Sequence, residues 1–314
     1  MMFSVLIAHY NNAQFLKTAL ESVLAQQYKN WEVILVDDFS TDNFEEIILP
    51  YAADDRIKVF RNEKNYGCGF TKNRCSSLAN GELQGFLDPD DALHEEAIAV
   101  MIQAHQDHPQ CSLIYSTHYI CDAGLQIKRI ADYVRALPGS TPYLLLGDGS
   151  IHLFASFTKK AYALTEGINP LNKKAVDKDL YYQLEEAGQV YFVDKPLYYY
   201  RIHQGSISNS GQEGAATLIH YQVAKKACLR RIRKLKAEHN PVNATLIREY
   251  RSRYYKLLIF EYYRKKKWVL LFGCALIYSF TGGLTNMVNY ARKLRVGGSA
   301  LLRKSFLENY EIKA

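Results

Sequence analysis

Four short apolar runs, each followed by a stretch of helical spacing, dominate the first ninety residues and limit the folds open to the chain. FSVLIAH (3–9) is rich in strand formers. Phe15, Leu16, Ala19, Leu20, Val23 and Leu24 then recur at helical spacing, with Asn11 or Asn12 available as the cap. WEVILVD (31–37) is continuous enough to be buried on both faces, and Ser40, Thr41 or Asp42 can cap a helix after it. RIKVF (56–60) and ELQGFLD (82–88) complete the series, separated by a helix over 70–79 that stops at Asn80-Gly81. Residues 92–106 are helical again. Strands alternating with helices specify a mostly parallel α/β sheet covered on both faces, whose ligands bind outside the carboxyl ends of the strands. Three polar clusters leave those ends: HYNN, VDDFS and DPDD.

DPDD sets Asp88, Asp90 and Asp91 within four positions, where like charges repel. Asp90 or Asp91 can cap the helix that follows, and Asp37 and Asp38 of VDD can form another N-cap pair. The alternative for DPDD is a hard divalent cation. Mg²⁺ or Mn²⁺ takes one or two carboxylates and completes its shell with phosphate oxygens and water, which is how a protein holds a nucleoside diphosphate. No GxGxxG follows the first strand, and the chain has no P-loop and no serine or cysteine hydrolase motif, which argues against a dinucleotide oxidoreductase or an NTPase.

Beyond residue 110 the pattern is less regular. SLIYSTHYI (112–120) and LQIKRI (125–130) read as a hairpin around Asp122-Ala123-Gly124, 131–150 as loops, and 175–188 as a helix. Strands follow over 190–194 and 196–202. HQGSISNSG (203–211) is polar and marks a domain boundary, so residues 1–210 form one domain and 211–314 a helical region broken near Pro241, Gly282-Gly283 and Gly297-Gly298. The six cysteines form no CxxC pair and read as reduced cytosolic thiols, and the N-terminus lacks the basic segment and cleavage site of a secretory signal.

Several ordered blocks resemble glycosyltransferase family 2, inverting enzymes of the type-A (GT-A) fold, a Rossmann-like nucleotide-diphospho-sugar transferase fold. They are SVLIAHYNNAQFLKTALESVLAQQYKNWEVILVDDFSTD, NEKNYGCGFTKNRCSSLANGELQGFLDPDD, VDKDLYYQL and YYYRIHQGSIS. The resemblance covers about residues 1–210. It implies that Ala8, through its backbone, and Tyr10, against the base, line a nucleotide site. Asp38 would accept from uracil N3–H, with Asp37 orienting its loop. Lys72 stands where the family usually has Arg, a point charge in place of a planar fork. Asp88 would meet the ribose, or the metal through water. Asp90 would bind Mn²⁺ or Mg²⁺ directly, with Asp91 in support. His203 would be a further metal ligand or a diphosphate contact, and Arg201 a phosphate contact or a loop clamp. In Val176-Asp177-Lys178-Asp179 the usual Glu is replaced by Val; Asp177 aligns with the general base and Asp179 is the second candidate. Both are also first-turn acids that suit a helix dipole.

The net charge of +7 conceals an asymmetry: residues 211–314 carry 21 Lys+Arg against 6 Asp+Glu, and 1–210 carry 18 against 26. The stretch 268–291 is uncharged, but its strongly apolar part, 268–280, is too short to cross a bilayer comfortably. An amphipathic helix lying on an anionic membrane, with Trp268 as anchor, is the preferred reading; a true span, and packing on the catalytic domain or in a homodimer, are the others. No nucleic-acid-binding module accompanies the charge. With the resemblance, this implies transfer from a nucleotide-sugar, a UDP-sugar, to a saccharide or lipid-linked acceptor at the cytoplasmic face of the membrane, building surface polysaccharide. An inactive sugar- or lipid-binding relative and a nucleotidyltransferase are the rival readings.

Overall fold

A computed structural model of the chain describes residues 1–139, 141–203 and 213–281. It divides into two units, residues 1–138 with 150–213, and residues 139–149 with the described part of 214–314.

The first unit holds a mixed sheet whose nine strands all lie among the described residues. β1 (Phe3–His9), β2 (Trp31–Asp37), β3 (Ile57–Arg61) and β4 (Leu83–Phe86) run parallel in the order β3-β2-β1-β4. The chain moves outward from β1 to β3 and returns to β4 on the other side of β1, which opens a crevice at the carboxyl ends of β1 and β4. The sheet continues through β8 (Ala155–Thr158), β6 (Cys111–Cys121), β9 (Gln189–Arg201) and β5 (Ala92–Leu93), with β7 (Ile127–Ile130) paired to β6. β8 is antiparallel to β4 and β6, whereas β9 is parallel to β6.

The apolar runs explain this order. All seven positions of β2 are buried, as an interior parallel strand requires. α1 (Ala13–Leu24) places Leu16, Ala19, Leu20 and Val23 in one core with Phe3, Val5, Ile7, Val33 and Leu35. Ile98, Met101 and Ile102 of α4 (Ala97–Asp107) join the same core.

The core also holds a charged anchor. Glu32 accepts from Ser4 Oγ at 2.7 Å, Lys58 Nζ at 2.8 Å and the Asn80 N–H at 2.6 Å. Burial alone would raise its carboxyl, but these donors outweigh burial and hold it down at about 2. A carboxyl held below its unfolded value of 4.5 contributes stability that is complete above that pH and is lost as pH falls toward about 2. Glu32→Gln is therefore expected to cost up to about 3 kcal/mol at neutral pH and far less near pH 2. Thermal melts at both pH values check this, and an equal loss at both would contradict it.

Several local expectations are corrected by long-range contacts. Residues 92–106 are not one helix: β5 comes first, paired with Tyr198 and Tyr199 of β9, and α4 starts at Ala97. α1 begins after Asn12 without a side-chain cap, and Asp42 Oδ2 instead accepts from the Ala13 N–H at 2.8 Å. α2 (Phe44–Ile48) begins after Asn43, so none of residues 40–42 is its cap. β9 is a single strand through Pro196, because its ladder with β6 shifts register there and absorbs the residues before the proline. The loop-like 131–150 stretch contains a short helix, α5 (Tyr143–Leu146).

α3 (Cys68–Leu78), α6 (Lys159–Tyr162) and α7 (Val176–Ala187) complete the first unit. In the second unit, α5 accompanies α8 (Glu213–Ala237), α9 (Ala244–Arg264) and α10 (Trp268–Thr281). Gly147 ends α5 at φ +65°, and a Cβ there would lie 1.6 Å from Arg253 Nη2 on α9. Both backbone and space thus require glycine. Leu271 and Ala275 of α10 pack on Ile259 of α9. Among the described residues no helix is long and apolar enough to cross a membrane. The expected breaks at Gly282-Gly283 and Gly297-Gly298, and nearly all of the 203–211 boundary, lie outside the described residues.

Candidate active site

The polar clusters converge at the carboxyl ends of β1, β2 and β4, on backbone that leaves its strands sharply. Asn11 (φ 50°), Phe39 (φ 65°) and Ala175 (φ 57°), at the start of α7, all occupy the left-handed region. For Phe and Ala this region is costly, and such residues concentrate at functional sites.

Asp37 and Asp38, adjacent in sequence, point to different partners. Asp37 is fully buried: its Oδ1 pairs with His9 Nδ1 at 3.0 Å, and its carboxylate accepts from the Ser40 N–H and Oγ. Burial would raise its carboxyl, but His9 and Ser40 hold it below the ordinary value. Asp38 is also buried. Oδ1 accepts from Asn62 Nδ2 at 2.7 Å and the Tyr66 N–H at 2.9 Å, and Oδ2 from the Gly67 N–H at 2.7 Å. Neither is a helix cap. One fixes the 37–40 turn, and the other gathers the 62–67 loop. Tyr10 is 45% exposed beside them. The β1–β4 ladder ends at Leu6↔Phe86, so Ala8 lies beyond it.

Lys72 links two clusters that are distant in sequence. Gly69, one turn earlier on α3, lets the helix approach the 169–172 loop: a Cβ there would lie 2.3 Å from the Asn172 carbonyl oxygen. Lys72 is thereby buried, with Nζ at 2.9 and 3.0 Å from the two Asp177 oxygens and 3.1 Å from Asp88 Oδ1. Burial disfavours the ammonium, but Asp177 and then Asp88 outweigh it and raise Lys72 well above its usual range. The Asp177 side chain is 32% exposed. Asp179 is buried and accepts from Asn172 Nδ2 at 3.0 Å.

The rest of DPDD meets the end of β9. Asp91 Oδ1 accepts from the Arg201 N–H at 2.7 Å and Oδ2 from Tyr198 Oη at 2.8 Å, so it ties strand to loop rather than capping α4. Arg201 donates to the carbonyls of Asp90 and Ala123, and its guanidinium lies 4.6 Å from the Phe15 ring centroid. Asp90 Oδ2 lies 2.9 Å from His203 Nε2, and His203 packs on Phe15 at 4.6 Å between centroids. Burial and then Asp88 push the Asp90 carboxyl up, with His203 opposing them. Burial, Asp90 and Asp88 push Asp91 up much further. The repulsion foreseen in DPDD is therefore present. Among the described residues no group of three or more His, Cys, Asp or Glu side chains is arranged to hold a metal by itself. Asp90 offers a carboxylate oxygen, the donor type that suits Mn²⁺ or Mg²⁺ when diphosphate and water supply the rest, and His203 Nε2 lies beside it.

Tyr198 and Phe15 support this site, and neither stands out in the sequence. Tyr198 lies inside YYYR, and Phe15 is indistinguishable there from the core residues of its helix.

Known proteins resemble this chain in sequence and in fold. Residues 4–163, about half the chain, match the sequence model of glycosyl transferase family 2. The Escherichia coli chondroitin synthase is 28% identical over 242 residues, which cover 77% of this chain but only 34% of that protein. This chain therefore spans about a third of that relative. Among solved structures, Staphylococcus aureus TarS residues 1–349 in complex with UDP-GlcNAc matches with a TM-score of 0.61 at 20% identity, over 83% of this chain and 73% of that one. The mannosyltransferase PcManGT of Pyrobaculum calidifontis, in complex with GDP-Man and Mn²⁺, matches with a TM-score of 0.54 at 12% identity, over 94% and 79%. At these identities the likeness shows the fold, which is GT-A with a helical C-terminal region. The family match, carried on that fold, identifies the chain as a member of glycosyl transferase family 2.

Proposed function

We propose that the chain is a metal-dependent, inverting glycosyltransferase that moves a sugar from a UDP-sugar to a saccharide or lipid-linked saccharide acceptor in surface polysaccharide synthesis. The observation that carries this reading is the Lys72 bridge, which sets Asp177 beside Asp88 in the loop that also holds Asp90 against His203. Asp177 is the proton acceptor: it is partly exposed, whereas Asp179 is buried and engaged with Asn172. It takes the proton of the acceptor hydroxyl as that oxygen attacks the anomeric carbon from the face opposite the diphosphate. Lys72 holds the carboxylate in place and balances its charge.

Asp90 and His203 would hold Mn²⁺ or Mg²⁺, which supplies Lewis-acid neutralisation of the leaving diphosphate. Asp91 and Arg201 anchor that loop to β9. The Asp38 carboxylate has about four lone-pair sites, of which three are in use, leaving one for uracil N3–H. Tyr10 supplies an exposed ring for the base, and the Ala8 backbone meets the nucleotide beyond the end of β4. The complexes of TarS with UDP-GlcNAc and of PcManGT with GDP-Man and Mn²⁺ support a nucleotide-sugar donor and a metal. The chondroitin synthase supports a polysaccharide product, and the UDP-GlcNAc bound by TarS puts an N-acetylhexosamine among the candidate sugars. Release of UDP from a panel of UDP-sugars, with and without Mn²⁺, tests the reading; no metal-dependent release from any of them would contradict it.

The same reading puts the chain on the inner face of an anionic membrane. Trp268, Phe272, Leu276 and Phe280 recur every four residues along α10, each at least half exposed, with Val269 beside them. Arg264, Lys265, Lys266 and Lys267 precede the helix. An apolar stripe with a basic flank suits a helix lying in the headgroup region. Phe272→Ser with Phe280→Ser is expected to weaken binding to vesicles rich in phosphatidylserine by about tenfold or more. Flotation assays check this, and unchanged binding would contradict it.

A further inference from the structure

The strand that follows the irregular 131–154 stretch brings a second group of rings to the same edge of the sheet. Leu83↔Thr158 and Gly85↔Ser156 pair antiparallel, so the residues preceding β8 lie beside those that follow β4, where DPDD begins. There His118, Tyr133, His152 and Tyr200 form a cluster. The His152 ring lies 4.9 Å from His118, 5.9 Å from Tyr133 and 5.7 Å from Tyr200, edge-on to both tyrosines.

The two histidines differ in one respect. His118 is fully buried and satisfied at both nitrogens, with Nδ1 3.0 Å from the Leu153 carbonyl and Nε2 3.0 Å from Tyr133 Oη. A carbonyl only accepts, so His118 carries a proton on Nδ1; burial pushes the ring down to about 3, so it is neutral at physiological pH and fixes both Tyr133 and the backbone next to His152. His152 Nδ1, by contrast, is buried with no hydrogen-bond partner among the described residues. Leaving such a group unpaired costs about 1–3 kcal/mol, which a bound ligand would recover. Burial, then Lys178, then Lys72, pushes His152 down to about 4. Tyr200 precedes Arg201, which donates to the Asp90 carbonyl, so the ring cluster adjoins the DPDD loop. The imidazole is neutral at physiological pH. A neutral donor–acceptor flanked by aromatic rings suits a sugar hydroxyl and its C–H face, and is poorly suited to a phosphate.

We propose that His152, walled by Tyr133 and Tyr200, binds a saccharide hydroxyl beside the DPDD loop and so helps to select the sugar that reacts at this edge of the sheet. This rests on the glycosyltransferase reading above. The hydroxyl belongs to the transferred sugar or to the acceptor, and the two sources are separable.

The test follows the His152 ring signals by NMR in the full-length chain, assigned by their loss in His152→Asn. UDP with Mn²⁺ is added first. UDP-GlcNAc and the other UDP-sugars are then tried in place of UDP, and methyl glycosides of glucose, galactose and N-acetylglucosamine are added to the UDP complex. The ring is expected to stay unmoved by UDP and to shift with a UDP-sugar, if the transferred sugar is its partner, or with a glycoside, if the acceptor is. A ring that already shifts fully with UDP alone, or that shifts with none of these probes while UDP binds, overturns the proposal and leaves the glycosyltransferase reading standing. Failure of every nucleotide to bind removes both. In parallel, His152→Ala is expected to keep UDP affinity and melting temperature near wild type while transfer falls about tenfold, with partial recovery in His152→Asn. A fall in melting temperature that accounts for the lost activity would reduce His152 to a packing residue.

Discussion

Asp177→Asn is expected to lower sugar transfer by about 10²–10⁴-fold while leaving UDP affinity within a few-fold of wild type. Asparagine keeps the shape of the side chain and can still meet Lys72 through its carbonyl, but it cannot take a proton. Lys72 retains Asp88 as a counter-charge at 3.1 Å, so the site is not left with an unpaired buried cation. Initial rates of UDP release beside calorimetric UDP affinity separate the two effects. A variant whose transfer stays close to wild type would shift the role to Asp179 or elsewhere. A variant that also loses UDP binding would mean that Asp177 serves the donor instead.

Asp90→Asn is expected to abolish the metal dependence of nucleotide binding and to lower turnover by at least about 100-fold. The substitution leaves His203 with a neutral neighbour and removes the carboxylate best placed to hold a cation. Its effect on the fold should run the other way. Burial and the charge of Asp88 both disfavour an ionised Asp90, so removing that charge relieves repulsion in DPDD. The metal-free variant is expected to melt no lower than wild type. This combination, activity lost and stability kept, is what a cluster arranged for a ligand produces and a set of helix caps does not. Melting curves together with UDP release at varied Mn²⁺ check it. A large fall in stability would show that Asp90 is structural, and retained metal-dependent turnover would remove it from the metal site.

How much of this was legible in the sequence depended on the range of the interactions. β1 and β2 were read with their observed limits because both are continuous apolar runs in the interior of a parallel sheet. The edge that carries the site followed from the strand–helix alternation alone. What remained hidden was set by partners distant along the chain. Local periodicity puts β5 into a helix, because its two residues are strand only through pairing with β9, a long-range contact. Lys72 stands out in the sequence as a replaced arginine, but its bridge to Asp177 spans 105 positions. Asp37 and Asp38 look equivalent in VDD, yet they are separated by which way each side chain leaves a turn with Phe39 in the left-handed region. His152 carried no signal at all, because an unpaired nitrogen exists only once the fold has buried it. In the tail, the basic and apolar segments were legible, while the break before α10 at Lys265–Lys267, where Lys266 adopts φ 54°, was not.

The central claim is that DPDD gathers negative charge because a cation and a nucleoside diphosphate complete the site. Calorimetric titration of the purified chain with UDP, GDP, dTDP and CDP, with and without Mn²⁺, tests it most directly. The account predicts binding that requires Mn²⁺ and favours UDP. Tight binding of another nucleotide would keep the enzyme class and overturn the pairing of Asp38 with uracil. Absence of binding to any of the four, with the metal present, would contradict the claim and leave DPDD a structural cluster.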